Sequence, residues 1–273
     1  MFNDLKRLAE SNNHVAVGAT VDRHGVPQIT RIVILDIDEE REEILFYDAN
    51  NSASVDNLQY NPKVSLSITN VKIFDGRQVK GLGDVVLAVA PTTSFGRRRY
   101  ADAIEQGVKY FVRLRIAEMF DVVPKEKSVR NSEQHGSAFS EYDKINIAYP
   151  TFSPSMLQPQ TLDGFKEMFN PFLQAQFEKR SPGFVGTVEF RGAPNISPRW
   201  IVGAEENFIL WGDLFKNKTF FNFSRPSPIA VYSMDWETGE GMECQGWAKF
   251  FFFGKSVARV NEAWISINQK FEN

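Results

Sequence analysis

Sulfur and imidazole are scarce in this chain. Among 273 residues there is one cysteine, Cys244, and there are three histidines, His14, His24 and His135. A lone thiol forms neither an intramolecular disulfide nor a thiolate metal cluster, and the three histidines share no metal-ligand spacing, so no metal site is expected. Long apolar runs are missing too. The longest aromatic stretch, Phe250 to Phe253, is strand-sized, far short of the roughly 20 residues a membrane helix needs. The opening segment Met1-Phe2-Asn3-Asp4-Leu5-Lys6-Arg7 lacks the apolar core of a secretory signal. The expected location is therefore the cytoplasm, with no membrane partner. A net charge of −3 lacks the basic excess of a nucleic-acid binder. Gly81-Leu82-Gly83 lacks the third glycine and the strand-to-helix setting of a dinucleotide fingerprint.

What is present is phenylalanine, 24 of them. Aromatic residues favour strands and fill barrel interiors, so the composition predicts a mainly β chain whose aromatics serve the core. With 42% hydrophobic and 24% charged residues, this is a soluble globular composition, long enough for about two domains.

The sequence also repeats itself. Val17-Gly18-Ala19-Thr20-Val21 followed by Gly25-Val26-Pro27-Gln28-Ile29-Thr30 returns as Phe184-Val185-Gly186-Thr187-Val188 followed by Gly192-Ala193-Pro194-Asn195-Ile196-Ser197. Each residue of the second set stands 167 positions after its partner, as Gly192 does after Gly25. Further on, Leu45-Phe46-Tyr47-Asp48 returns near Ile209-Leu210-Trp211-Gly212-Asp213, Asn57-Leu58 as Asn222-Phe223, and Gly81 as Gly246, now 165 positions apart. The two-residue difference falls in the acidic stretch Asp36 to Glu43, where a hairpin loop tolerates a length change. An ordered series of this kind reads as two diverged copies of one module.

Each copy begins with an amphipathic helix, marked in the second by Leu162, Phe165, Met168, Phe169, Phe172 and Leu173 at helical spacing. Short strands follow. In the first copy these are expected at 15–21, 28–35, 44–47, 64–69, 78–89 and 109–120, with helical segments at 54–58 and 99–106. Asp22-Arg23-His24-Gly25 is a hairpin signal. Several short strands with one intervening helix predict a small barrel. The domains are then 1–124, a polar linker or covering arm at 125–160, and 161–273. The second copy is expected to close differently. Val257, Val260, Trp264 and Ile267 lie on one helical face, so the chain ends in a helix with no counterpart of the sixth strand.

The segment Thr30-Arg31-Ile32-Val33-Ile34-Leu35, then Leu45-Phe46-Tyr47-Asp48-Ala49-Asn50-Asn51-Ser52, then Asn57-Leu58 and Asn61-Pro62-Lys63-Val64-Ser65-Leu66, resembles the pyridoxamine 5′-phosphate oxidase family and its FMN-binding relatives. In the second copy, Pro194-Asn195-Ile196-Ser197-Pro198-Arg199 and Gly212-Asp213-Leu214-Phe215-Lys216-Asn217-Lys218-Thr219 are similar to a more general branch of it. The resemblance covers roughly half of the chain. It implies split β-barrels that pair, with FMN at their interface. Two joined copies would make that pair within one chain, as a monomeric pseudo-dimer, or the chain would form a homodimer.

What the resemblance implies for the site follows residue by residue. FMN phosphate needs converging cations and hydroxyl donors. Arg31 matches the family's basic strand position. Ser52-Ala53-Ser54 matches its Ser-basic-basic segment but has lost both cations, leaving Ser52 and Ser54. The second copy offers Ser197, Arg199, Lys216, Lys218 and Thr219, so phosphate binding is expected to be better kept there, with one flavin per chain. Ile32, Val33 and Tyr47 would line the isoalloxazine by position. Trp200, Trp211 and Trp247 are read as core or interface side chains, and the basic run Arg97-Arg98-Arg99 as a turn ahead of a helix that would suit an anionic partner.

Two functions stay open. One is an FMN-dependent oxidoreductase or flavin reductase with a small-molecule electron donor or acceptor. Pyridoxamine-phosphate oxidation itself is disfavoured, since the family's substrate-binding Arg and His near the C-terminus have no counterpart. The other is a non-catalytic module that stores, senses or carries flavin, haem or a deazaflavin.

Overall fold

The computed structural model describes residues 2–122, 132–149, 170–179, 183–212, 222 and 227–267, apart from 12, 50–52, 71, 73–74, 135, 200, 206–207 and 254. The chain divides into two compact units, Met1–Thr20 with Thr30–Ile147, and Val21–Ile29 with Ala148–Asn273.

Apart from residues 21–29, which fall in the second unit, the first unit runs α1 (Phe2–Glu10), β1 (His14–Val21), β2 (Pro27–Asp38), β3 (Glu43–Asp48), α2 (Ser54–Tyr60), β4 (Lys63–Asn70), β5 (Asp75–Val86), α3 (Ser94–Glu105), β6 (Phe111–Asp121), β7 (Ser132–Gln134) and α4 (Gly136–Lys144). The strands lie in the order β3-β2-β1-β4-β5-β6-β7, and β3 also pairs with β6. That last pairing closes a six-stranded barrel and leaves β1 to β6 without a free edge. Its interior holds Ile32, Ile34, Ile44, Leu66, Val79, Leu114 and Met119, with Leu5 and Leu8 of α1 in the same cluster. At Gly81 the β5–β6 register shifts. A Cβ on Gly81 would lie 2.0 Å from the Arg115 carbonyl oxygen, so only glycine lets the strands come this close. Buried Arg77 joins Asp121 and Asp4 of α1, each at 2.9 Å, fastening the helix to the barrel.

The polar segment after β6 packs on this same unit. β7 pairs Gln134 with Glu118. Glu141 of α4 accepts from Arg115 at 2.7 Å. Buried Lys63 donates to the Ile145 carbonyl at 2.6 Å, with its ammonium 4.5 Å from the centre of the Tyr142 ring.

The second unit runs α5 (Asn170–Glu178), β8 (Gly183–Val188), β9 (Pro194–Arg199), β10 (Ile201–Glu205), β11 (Phe208–Gly212), β12 (Ser227–Met234), β13 (Gly241–Phe253) and β14 (Lys255–Ile267). Its sheet order is β10-β11-β14-β13-β12-β8-β9. Four details of strands β1 to β5 and their connections recur in β8 to β13 at the offsets seen in the sequence. In the β1–β2 turn, Asp22 N–H donates to Val26 O and Gly25 N–H to Asp22 O, with Gly25 at φ +83°. In the β8–β9 turn, Glu189 N–H donates to Ala193 O and Gly192 N–H to Glu189 O, with Gly192 at φ +75°. Positive φ is what glycine supplies in such a turn. The Asn57 amide donates to Thr20 Oγ1 at 2.9 Å, and the Asn222 amide donates to Thr187 Oγ1 at 2.7 Å. Ala19 faces Ser65 as Gly186 faces Ala230, and Val64 faces Gly81 as Ile229 faces Gly246.

Two expectations are corrected here. Residues 255–267 are not a helix. They form β14, which pairs with β13 along its length and with β11 at Leu210↔Arg259 to Gly212↔Val257. The second unit therefore has a strand in the place that β6 takes in the first. Apolar spacing alone does not separate a helix from a strand, so the three-to-four spacing of Val257, Val260, Trp264 and Ile267 misled. The basic run Arg97-Arg98-Arg99 does not precede a helix either, because it lies within α3, which starts at Ser94. Of the amphipathic stretch expected from Leu162, Phe172 and Leu173 fall in α5, whereas Leu162, Phe165, Met168 and Phe169 lie outside the described residues. Among the described residues no helix is long and apolar enough to cross a membrane.

Candidate anion-binding site

Strand alternation sorts β2 into two faces. Ile32 and Ile34 enter the barrel interior. Val33 and Leu35 face outward, into a second cluster with Tyr47, Tyr100, Ala103 and Phe111. Arg31 continues that outward face by the same alternation and is half-buried. Across the ladder Val33 pairs with Tyr47, and Ala49 N–H donates to Arg31 O at 3.0 Å. The outer face of β2 and β3 is thus an apolar floor with one cation at its margin.

Helix α3 covers this floor, and three features hold it there. Thr93 caps it, its side chain accepting from Gly96 N–H at 2.9 Å, which satisfies one of the first-turn donors. Asp36, at the end of β2, receives the backbone N–H and hydroxyl of both Thr92 and Thr93. Burial alone would raise its pKa, but these four donors outweigh that and hold it below the ordinary aspartate value. Finally, a Cβ on Gly96 would meet the Pro91 side chain at 2.8 Å and the Leu35 carbonyl oxygen at 3.0 Å, so the helix seats closely only because position 96 is glycine.

The seated helix turns Gly96, Arg99, Tyr100 and Ala103 towards the sheet, a stripe at helical spacing. Arg99 is the charged member. Its Nη1 donates to the Ile34 carbonyl at 2.7 Å, beside the register shift between Ile34 and Asp36. Its guanidinium sits 4.2 Å from the centre of the Phe95 ring. Among the described residues no carboxylate lies within ion-pair distance of Arg99. Burial draws its pKa below the ordinary arginine value.

Arg31 and Arg99 act on the same neighbours. Burial is the main cause that lowers the His14 pKa, and both guanidiniums lower it further. Burial raises the Tyr47 pKa, and both guanidiniums pull against that rise. Two cations from different elements, Arg31 on β2 and Arg99 on α3, therefore bias the same two groups. Such an arrangement suits an anion, and a phosphate monoester in particular, because guanidinium forks match its oxygens.

The expected site residues divide as follows. Arg31, Val33 and Tyr47 belong to this face, while Ile32 points into the barrel interior, 3% exposed. Ser54 opens α2 and is buried. In the second unit Ser197 is buried on β9 and Arg199 half-buried, donating Nη1 to the Pro198 carbonyl at 2.9 Å. Trp211 is fully buried and Trp247 half-buried. Ser52, Trp200, Lys216, Lys218 and Thr219 lie outside the described residues. Sequence reasoning had no single role for Arg99 and passed over Asp36. The available signal was the stripe Gly96, Arg99, Tyr100, Ala103, in which a cation interrupts small and apolar positions. A shallow cleft beyond Asp36, lined by Asp38, Arg41, Glu43 and Arg113, has its charges matched, Arg41 with Asp38 at 3.6 Å and Arg113 with Glu43 at 3.8 Å.

Comparison with known proteins agrees with the motif series in the first unit. Residues 5–130 match the family model described as pyridoxamine 5′-phosphate oxidase. The comparison with curated proteins yields no significant match. Among solved structures, a protein from Clostridium acetobutylicum related to general stress protein 26 is 19% identical over 49% of this chain and 93% of its own, with a TM-score of 0.37. HupZ of Group A Streptococcus is 19% identical over 44% and 91%, TM-score 0.35. A pyridoxamine 5′-phosphate oxidase-related, FMN-binding protein of Nostoc punctiforme is 13% identical over 50% and 93%, TM-score 0.33. The match to the pyridoxamine 5′-phosphate oxidase family model thus falls on residues 5–130, the part of the chain that holds the closed six-stranded barrel.

Proposed function

We propose that the chain is an FMN-binding protein that acts as a flavin-dependent oxidoreductase or flavin reductase. The observation that carries this reading is the family match over residues 5–130, which is supported by a half-buried cation, Arg31, on the outer face of β2. The residues fit the phosphate end of the cofactor, since a guanidinium supplies charge and two parallel donors. Arg31 would hold the phosphate, with Ser52 and Ser54 adding hydroxyls. In the second unit Ser197, Arg199, Lys216, Lys218 and Thr219 are the corresponding candidates. Ile32, Val33 and Tyr47 would contribute by backbone position. When bound, flavin supplies the hydride or electron chemistry, while the protein supplies orientation and electrostatics.

We also read the two units as diverged copies of one module, a view supported by the recurring turns, the recurring Asn–Thr bonds and the shared registers. One flavin per chain is the proposed stoichiometry. The alternative, a carrier or sensor without turnover, is favoured by Ala53, which stands where the family has a cation.

The visible absorption spectrum of the purified protein, before and after reconstitution with FMN, tests the reading. Flavin absorbance that bleaches with a reduced nicotinamide supports an oxidoreductase. Bound flavin that does not bleach favours the carrier. A protein that takes up no FMN removes both.

A further inference from the structure

The geometry points to Arg99 as the second phosphate-binding cation of the first unit, standing in for the basic residues that Ser52-Ala53-Ser54 lacks. The inference rests on the FMN-binding reading and changes it, because it makes the first unit competent by a route that the local motif does not show.

The argument starts from what Arg99 leaves unused. A guanidinium carries five N–H donors in a rigid fork. The Ile34 carbonyl takes one of them, and the Phe95 ring covers a face of the group rather than its edge donors. The fork is half-buried, so it is partly shielded from water and has no carboxylate partner among the described residues. A cation in that setting is stabilised by an anion that brings its own oxygens.

The second part is position. Arg99 is directed, not floppy: the Asp36 clamp, the Thr93 cap and the close seat at Gly96 fix α3 on β2. The bond to Ile34 then anchors the fork to the strand that carries Arg31. On the proposed reading Arg31 is one phosphate contact, and Arg99 joins it from a helix that lies 68 positions later in the sequence. The neighbouring Arg98 is exposed and belongs to the outer side of α3.

The test compares FMN with riboflavin, which has the same ring system and no phosphate. Dissociation constants are measured by flavin fluorescence for the full chain and for Arg99→Ala, Arg99→Lys and Lys218→Ala. The expected result is a loss of about tenfold or more in FMN affinity for Arg99→Ala, as befits one charge-assisted phosphate contact. Riboflavin affinity should stay within about twofold, and Arg99→Lys should recover part of the FMN loss. Equal weakening of FMN and riboflavin would mean that the substitution merely unseats α3, and it overturns the inference. So does unchanged FMN affinity in Arg99→Ala, especially if Lys218→Ala weakens it. A wild-type chain that binds no FMN defeats the reading itself, and the inference with it.

Discussion

The two units share a turn, a register and an Asn–Thr bond, yet they secure their ends by different means. In the first, Arg77 is buried between Asp121 and Asp4 and pins α1 to the barrel. Its counterpart 165 positions on is Met242, an uncharged residue facing Ile267 across the β13–β14 ladder. In the first, α3 stands between β5 and β6 and delivers Arg99. In the second, β13 and β14 are separated only by Gly254. The difference teaches that the barrel pattern persists where strand pairing demands it. The insertion between strands five and six is where the units part, and it carries the candidate site.

Several measurements would break or sharpen that comparison. The largest effect is expected from removing residues 255–267. Strand β14 lies between β11 and β13, so its loss should unfold the second unit while the first keeps its cooperative transition in denaturant. Retention of two transitions would show that β14 is dispensable. Next, Asp121→Ala should destabilise the first unit by about 3 kcal/mol, because it removes the buried carboxylate from Arg77 and leaves that guanidinium only the half-exposed Asp4 and Asp75, whereas Met242→Leu should cost less than about 1.5 kcal/mol. Urea melts followed by fluorescence would read both.

Smaller again is Gly96→Ala, which should cost about 1–3 kcal/mol by overpacking α3 against Pro91 and Leu35 and should lower FMN affinity as Arg99 moves. Asp36 gives this region a pH signature. Its folded pKa lies below the ordinary 3.8, so its stabilising contribution is present above that value and is lost as pH falls through the lower folded pKa. The stability gap between wild type and Asp36→Asn should therefore be full at neutral pH and close in acid. A gap that widens in acid would contradict the clamp. The smallest effect concerns the shared bond. Asn57→Ala and Asn222→Ala should each cost about 0.5–1.5 kcal/mol, the first more because its bond is fully buried.

Much of the first unit was legible beforehand, for reasons particular to its residues. Asp22 and Gly25 announce the hairpin, since one accepts backbone donors from His24 and Val26 and the other supplies positive φ. On β2, by contrast, Ile32 and Val33 were both expected beside the ring by position, and only the barrel interior sorts Arg31, Val33 and Leu35 from Ile32 and Ile34. The β14 strand was hidden because its apolar spacing fits a helix as well as a doubly paired strand, and periodicity does not separate the two. Arg99 was hidden for another reason. Its place depends on Asp36, Gly96 and Ile34, which are brought together only by tertiary packing, so no local window could show a cation aimed at β2.

The central proposal, that this chain binds FMN, meets its most direct test in a titration of the purified 273-residue chain with FMN, followed by quenching of flavin fluorescence. The account predicts saturable binding at one FMN per chain. No binding, even after attempted reconstitution of the refolded protein, would contradict it.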